Sequence, residues 1–244
     1  MRKLIVLLTL LVSVGALANS GEAHLDKANY DLTDKASLQN GMKLFNNYCL
    51  GCHQMQYQRY QRAFADLDIP TDLGSENLMF TQEKPGEHIN NAMPAESAAN
   101  WFGAPPPDLT LVARVRGADW IYTYLRSFYA DESRPFGVNN LVFPEVAMPH
   151  VLQELQGLPR KTTEQHMVDG EMVERYVGLK SDGTGYMTPE EYDGAVLDLV
   201  NYLVYTGEPT RLESENIGRY VMLFLLLLLV LVYLLKKDYW RDVH

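Results

Sequence analysis

Cys49-Leu50-Gly51-Cys52-His53 is a CxxCH pentapeptide, the attachment signature of a covalent c-type haem. Two thiols three positions apart each add to one vinyl group of the ring, and the adjacent histidine reaches the iron from one face. Other readings of the pair are weaker. A structural zinc site takes four Cys or His ligands, and no second CxxC or spaced His pair completes one here. A thioredoxin-like dithiol follows a strand in a βαβ pattern, whereas the residues before Cys49 read as a helix. The pentapeptide therefore predicts one haem c, bonded through Cys49 and Cys52 and ligated by His53.

His53 leaves the opposite iron position to a methionine or a histidine, and a methionine there raises the reduction potential. Met55 stands too close to His53 to reach the far face. Met93-Pro94 and Met148-Pro149 both qualify, each with a proline that stiffens the chain beside the sulfur. The residues by themselves leave that choice open.

These groups need helices to hold them. Residues 37–48 carry Leu38, Met42 and Phe45 at i, i+4 and i+7, one apolar face of a helix running straight into the CxxCH, with Thr33 or Ser37 to cap it. Thr188-Pro189-Glu190-Glu191 is a capping box with proline at the first helical position. Its helix shows a stripe of Tyr192, Ala195, Val196, Leu199 and Leu203 and stops at Gly207 and Pro209. The two helices can cross at the small residue Gly41, with Phe45 and Tyr202 nearby, an arrangement that resembles the terminal helix crossing of class I cytochromes c. A third helix is predicted over 118–130, where Trp120, Ile121, Tyr124, Leu125 and Phe128 share one side. Segments 66–110 and 131–186 are rich in Pro, Gly, Asn and Asp and read as long loops folded against the haem.

Composition sets the compartment. Met1-Arg2-Lys3, an apolar block over 4–14 and Ala16-Leu17-Ala18 follow the order of a secretory signal peptide, residues 1–18, and the block is too short to span ~30 Å of hydrocarbon. The two cysteines are both consumed by the motif, so an exported domain over 19–212 rests on a core built around the haem. Residues 220–235 carry no charge and rise ~24 Å as a helix, enough with their flanks for one anchor over 213–237. Lys236, Lys237 and Arg241 then place the tail 238–244 in the cytoplasm. The head, residues 19–210, has 14 Lys and Arg against 27 Asp and Glu. That excess repels nucleic acid and favours a basic protein partner. Glu164, Asp169, Glu171 and Glu174 form one candidate docking rim, and Asp68, Asp72 and Glu76 a second.

A family resemblance joins these pieces. After CxxCH come Ala104-Pro105-Pro106-Pro107-Asp108-Leu109-Thr110, then Arg114-Val115-Arg116, then Asn140-Leu141-Val142-Phe143-Pro144 and Ala147-Met148-Pro149, then the single anchor. In that order they resemble the cytochrome c1 family of proteobacterial type, the haem-carrying subunits of the quinol–cytochrome c reductase or cytochrome bc1 complex. The resemblance selects Met148 over Met93 as the second iron ligand and gives Arg116 a haem propionate by charge-assisted hydrogen bond. It sets the proline stretch, with Pro106 as the named cofactor contact, beside the His53 ring, where a backbone carbonyl can accept Nδ1–H. One departure is His150-Val151-Leu152 after Met148-Pro149, where many relatives carry further prolines, and His150 is a competing ligand.

The resulting expectation is an all-α, class I cytochrome c-like haem domain with long loop insertions and one C-terminal transmembrane helix. The resemblance implies a single-pass protein of the bacterial inner membrane with its haem in the periplasm. It would receive electrons from a Rieske iron–sulfur protein working with cytochrome b and deliver them to a soluble or membrane-tethered cytochrome c. It would be an enzyme only as a subunit of that oxidoreductase, with no residue in acid–base or nucleophilic work. A free-standing or oxidase-linked membrane cytochrome is the alternative. A haem sensor with an open iron site is the non-redox one.

Overall fold

The computed structural model describes residues 24–80, 84–168 and 171–241, so the expected signal peptide and the last residues of the tail lie outside the described residues. Helix α1, Lys35–Leu44, begins where the Asp34 carboxylate accepts the Ser37 backbone N–H at 3.0 Å. Asp34 is thus the cap, rather than Thr33 or Ser37, because a carboxylate three residues ahead of a free N–H satisfies an otherwise orphaned donor. The helix continues as a π-helical turn, Phe45–Cys49. Such turns concentrate at functional sites, and this one delivers the first cysteine.

Strand β1, Met55–Arg59, and helices α2, Tyr60–Asp66, and α3, Thr71–Leu78, lead to β2, His88–Ile89, which pairs antiparallel with β1. Helices α4, Ala95–Phe102, α5, Val112–Arg116, and α6, Ala118–Arg126, follow. Next come the short pair β3, Phe128–Ala130, and β4, Val138–Asn140, then α7, Gln153–Gln156, and the long hairpin of β5, Arg160–Val168, and β6, Glu171–Lys180. Helix α8, Pro189–Gly207, closes the head, and α9, Arg211–Tyr239, leaves it.

The strictly all-α expectation is corrected: helices dominate, but the described residues contain three two-stranded sheets. The hairpin occupies a segment read as loop. Its β-branched and aromatic residues, among them Thr162, Thr163, Val168, Val173 and Tyr176, flank Asp169-Gly170, a composition that favours strands around a turn. The predicted helix over 118–130 is also shorter. It stops at Arg126, and Phe128 pairs with Asn140 instead of completing another turn.

The core is the crossing of α1 and α8. Leu38, Met42, Phe45 and Leu199 are buried there, each worth ~1.5–3 kcal/mol when fully removed from water, and Tyr202 is buried beside them. Gly41 lets the backbones touch: a Cβ at that position would fall on the Asp198 carbonyl oxygen and 2.7 Å from the Tyr202 Cβ. Around that contact Asp198 accepts from Ser37 Oγ at 2.5 Å and from Asn40 Nδ2 at 2.7 Å, and the Phe45 and Tyr202 rings lie 5.9 Å apart. The Thr188–Glu191 capping box and Pro189 start α8 as its residue types dictate. The 29 residues of α9 span ~43 Å, and the side chains of its apolar stretch are exposed.

Candidate functional site

One cavity of about 420 Å³ gathers the predicted chemistry. Cys49, Cys52 and His53 line it together with Met148 and Pro149. Leu199 and Leu203 of α8, with Trp120, Ile121 and Tyr124 of α6, supply much of an apolar wall, and Arg116 at the end of α5 adds a guanidinium. The terminal-helix crossing therefore brings the thiols against α8, and the C-terminal half of the head folds Met148 in from elsewhere.

The backbone after Cys49 turns tightly. Its carbonyl accepts both Cys52 N–H, at 3.0 Å, and His53 N–H, at 2.8 Å, which turns the two cysteines and the imidazole into one cluster. Burial, with Cys52 close by, pushes the Cys49 thiol up to about 12, and burial raises Cys52 as well. A redox-active dithiol works by the opposite shift, toward thiolate, which this burial does not favour. Among the described residues no group of three or more His, Cys, Asp or Glu is arranged to hold a metal ion.

His53 is positioned by the proline stretch. Its Nδ1 lies 2.8 Å from the Pro107 carbonyl oxygen. A carbonyl can only accept, so Nδ1 carries the hydrogen and Nε2 keeps its lone pair for a metal. Burial lowers the imidazole pKa, opposed by the Pro107 hydrogen bond and the Asp108 charge, and so favours the neutral ring. The stretch is held in register because the Asp108 carboxylate accepts Gln56 N–H at 2.8 Å and Thr110 N–H at 2.9 Å, while Leu109 N–H meets the Gln54 carbonyl at 2.9 Å. Pro106 lines the cavity, but the acceptor is Pro107.

Met148 reaches the cavity on a loop anchored by two buried asparagines. Asn140 Oδ1 accepts Val142 and Phe143 N–H at 2.9 and 3.1 Å, and Asn139 Oδ1 accepts Glu145 N–H at 2.8 Å. The Tyr124 hydroxyl donates to Met148 Sδ at 3.3 Å, a contact that no motif in the chain announces. His150 does not compete: it is buried outside the cavity lining, stacked on Phe128 with centroids 4.9 Å apart, and burial holds its pKa near about 4. Met93 precedes α4, and Met55 is in the core; neither lines the cavity.

Arg116 sits over Trp120 at 5.0 Å and near Phe143 at 5.9 Å, cation–π distances that fix the guanidinium at the cavity wall. Arg114 instead pairs with Glu208 at 2.9 Å. Of the two arginines, only Arg116 faces the cavity. Apolar walls, two thiols, an imidazole with a free nitrogen, a thioether and one guanidinium around a single cavity are a donor set that fits a covalent haem. The first acidic group divides between β5, with Glu164, and β6, with Glu171 and Glu174, while Asp169 lies outside the described residues. In the second group Asp68 lies 3.9 Å from Lys35, and Asp72 and Glu76 are exposed on α3.

Comparison with known proteins agrees with this geometry. Residues 26–243 match the model of the Cytochrome C1 family. The chain is 53% identical over 246 residues to cytochrome c1 of Allochromatium vinosum, with 100% of both chains covered. It is 46% identical to a protein of Nitrosomonas europaea named ammonia monooxygenase gamma subunit, over 100% of this chain and 99% of that one. To cytochrome c1 of Rhodospirillum rubrum it is 27% identical, over 97% and 94% of the two chains. The CxxCH thiols facing an apolar cavity, the single long apolar helix and a match spanning nearly the whole chain lead to one conclusion: the chain belongs to the cytochrome c1 family, whose members carry a covalently attached haem c.

Proposed function

We propose that this chain is the haem-bearing electron-transfer subunit of a quinol–cytochrome c reductase, taking single electrons from a Rieske iron–sulfur protein that works with cytochrome b and passing them to a cytochrome c. The observation that carries the reading is the convergence of Cys49, Cys52, His53 and Met148 on one apolar cavity in a head continuous with a 29-residue apolar helix. When bound, haem c supplies reversible one-electron chemistry. The chain supplies attachment, ligation and orientation. Cys49 and Cys52 would carry the thioether bonds, and His53 Nε2 and Met148 Sδ would ligate the iron. Arg116 would meet a propionate by a charge-assisted hydrogen bond, and Pro106 would contact the bound group. No side chain is assigned acid–base or nucleophilic work.

The topology follows from charge. Residues 1–18 serve as the signal peptide, 19–212 form a periplasmic head and 213–237 the anchor, and Lys236, Lys237 and Arg241 keep the tail 238–244 in the cytoplasm of a bacterial inner-membrane protein. The acidic head steers a basic cytochrome toward it.

Purification in mild detergent tests the reading: co-elution of b-type haem and a Rieske cluster with this chain supports it, and elution of an active chain without either defeats it. The relative named as an ammonia monooxygenase gamma subunit motivates a second reading, a redox subunit attached to another membrane oxidoreductase. The composition of the same eluate separates the two.

A further inference from the structure

Tyr124 carries an inference that rests on Met148 being the second iron ligand. Its hydroxyl donates to Met148 Sδ at 3.3 Å. A thioether sulfur has two lone pairs and is a weak acceptor, so one can take this hydrogen bond while the other stays free for a metal. The ring is held in place. Trp120 stacks on it at 4.8 Å with planes 10° apart, and Phe128 meets it edge-on at 5.2 Å.

The backbone is tied to the same loop. Asn140 Nδ2 donates to the Tyr124 carbonyl at 2.7 Å, while Asn140 Oδ1 accepts the N–H groups of Val142 and Phe143. One buried asparagine thus links the helix that offers the hydroxyl to the loop that delivers the sulfur. Tyr124 is partly buried and lines the cavity, and a hydrogen bond inside a protein is electrostatically stronger than in solvent.

We propose that Tyr124 is a positioning residue that orients Met148 and sets the reduction potential of the site. The O–H draws electron density from the sulfur and makes it a poorer donor to ferric iron. The ferrous state is favoured relative to an unperturbed thioether. The bond also selects one rotamer of a side chain with three rotatable bonds, which keeps the second lone pair aimed into the cavity.

The test uses full-length holo-protein in detergent, with redox titration and the near-infrared methionine-to-iron band as readouts. Tyr124→Phe keeps the ring and removes only the donor. It should retain covalent haem, shift the band and lower the potential by up to about tenfold in the ferrous-to-ferric ratio, or ~59 mV for one electron. Tyr124→Leu, which removes the ring as well, should lower it further. A Phe variant with wild-type potential and band overturns the proposal, as does a shift seen in the Leu variant alone, which would make the role one of packing. Met148→Leu separates the two layers. If it abolishes the band while Tyr124→Phe changes nothing, only this inference fails; if it leaves the band intact, the ligand assignment fails and this inference with it.

Discussion

Gly41→Ala is a quantitative test of how the haem site is held. Gly41 sits in the middle of α1, and a β-carbon there would land on the Asp198 carbonyl oxygen, 2.8 Å from its carbon and 2.7 Å from Tyr202 Cβ. Ordinary contacts of this kind begin near 3.4 Å, and the obstacle is backbone, so no rotamer relieves it. With the Asp198 carbonyl oxygen so far inside that distance, the helices must part by roughly 1 Å. Overpacking of this kind costs about 1–3 kcal/mol, against which alanine recovers about 0.5–1 kcal/mol of helix propensity. Because the clash is with backbone, the cost falls in the upper part of that range, about 2–3 kcal/mol, and the net loss is about 1–2.5 kcal/mol, or ~2–10 °C in Tm for a head of this size. Because Leu199 and Leu203 on α8 line the cavity, the displacement should also perturb the haem absorbance. Gly194→Ala is the control: Gly194 lies on the same helix α8, with nothing within 4 Å of its added β-carbon, and should gain about 0.5–1 kcal/mol. Thermal unfolding of the two holo-variants in one detergent decides it. A Gly41→Ala protein as stable as wild type, or variants that shift in the same direction, would refute the packing argument.

Replacing both Cys49 and Cys52 with Ala should abolish haem peroxidase staining on denaturing gels, with partial loss in either single variant. If acidic residues steer a basic cytochrome, neutralising Glu164, Glu171 and Glu174, or separately Asp68, Asp72 and Glu76, should flatten the ionic-strength dependence of the second-order rate as the Debye length falls from ~30 to ~8 Å; unchanged slopes for both sets make the charge a solubility feature. His150 is buried and its folded-state pKa is lowered to about 4 from 6.5. Between those values the unfolded chain binds the proton and the folded one does not, so this contribution, on the order of 3 kcal/mol, is present above pH ~6.5 and lost as pH falls toward 4. His150→Phe, which keeps the stack on Phe128, should reduce that acid lability in urea titrations across this window.

What the chain revealed in advance was local. The CxxCH, the Thr188–Glu191 capping box and the α8 stripe are encoded within a few residues of one another, and the structure reproduces them. Gly41 was readable because only a missing side chain permits so close a crossing. The hairpin over 160–180 is ambiguous in the sequence, because Asp169-Gly170 between β-branched runs is a hairpin signal while Gly and Asp equally favour loops. The early end of α6 depends on β3 pairing with β4, a competition that helical periodicity cannot register. Among three adjacent prolines the choice of Pro107 rests on Asp108 and Leu109 binding residues 54 and 56, a register between segments about fifty residues apart. Tyr124 carried no motif; its role comes from one hydroxyl meeting one sulfur after both segments have folded.

The most direct test of the central claim follows the c-type haem absorbance of the detergent-solubilised complex after a quinol is added. Reduction of that haem, followed by reoxidation when oxidised cytochrome c is supplied, is the predicted result. A haem that stays oxidised while the accompanying b-type haem and Rieske cluster become reduced would contradict it.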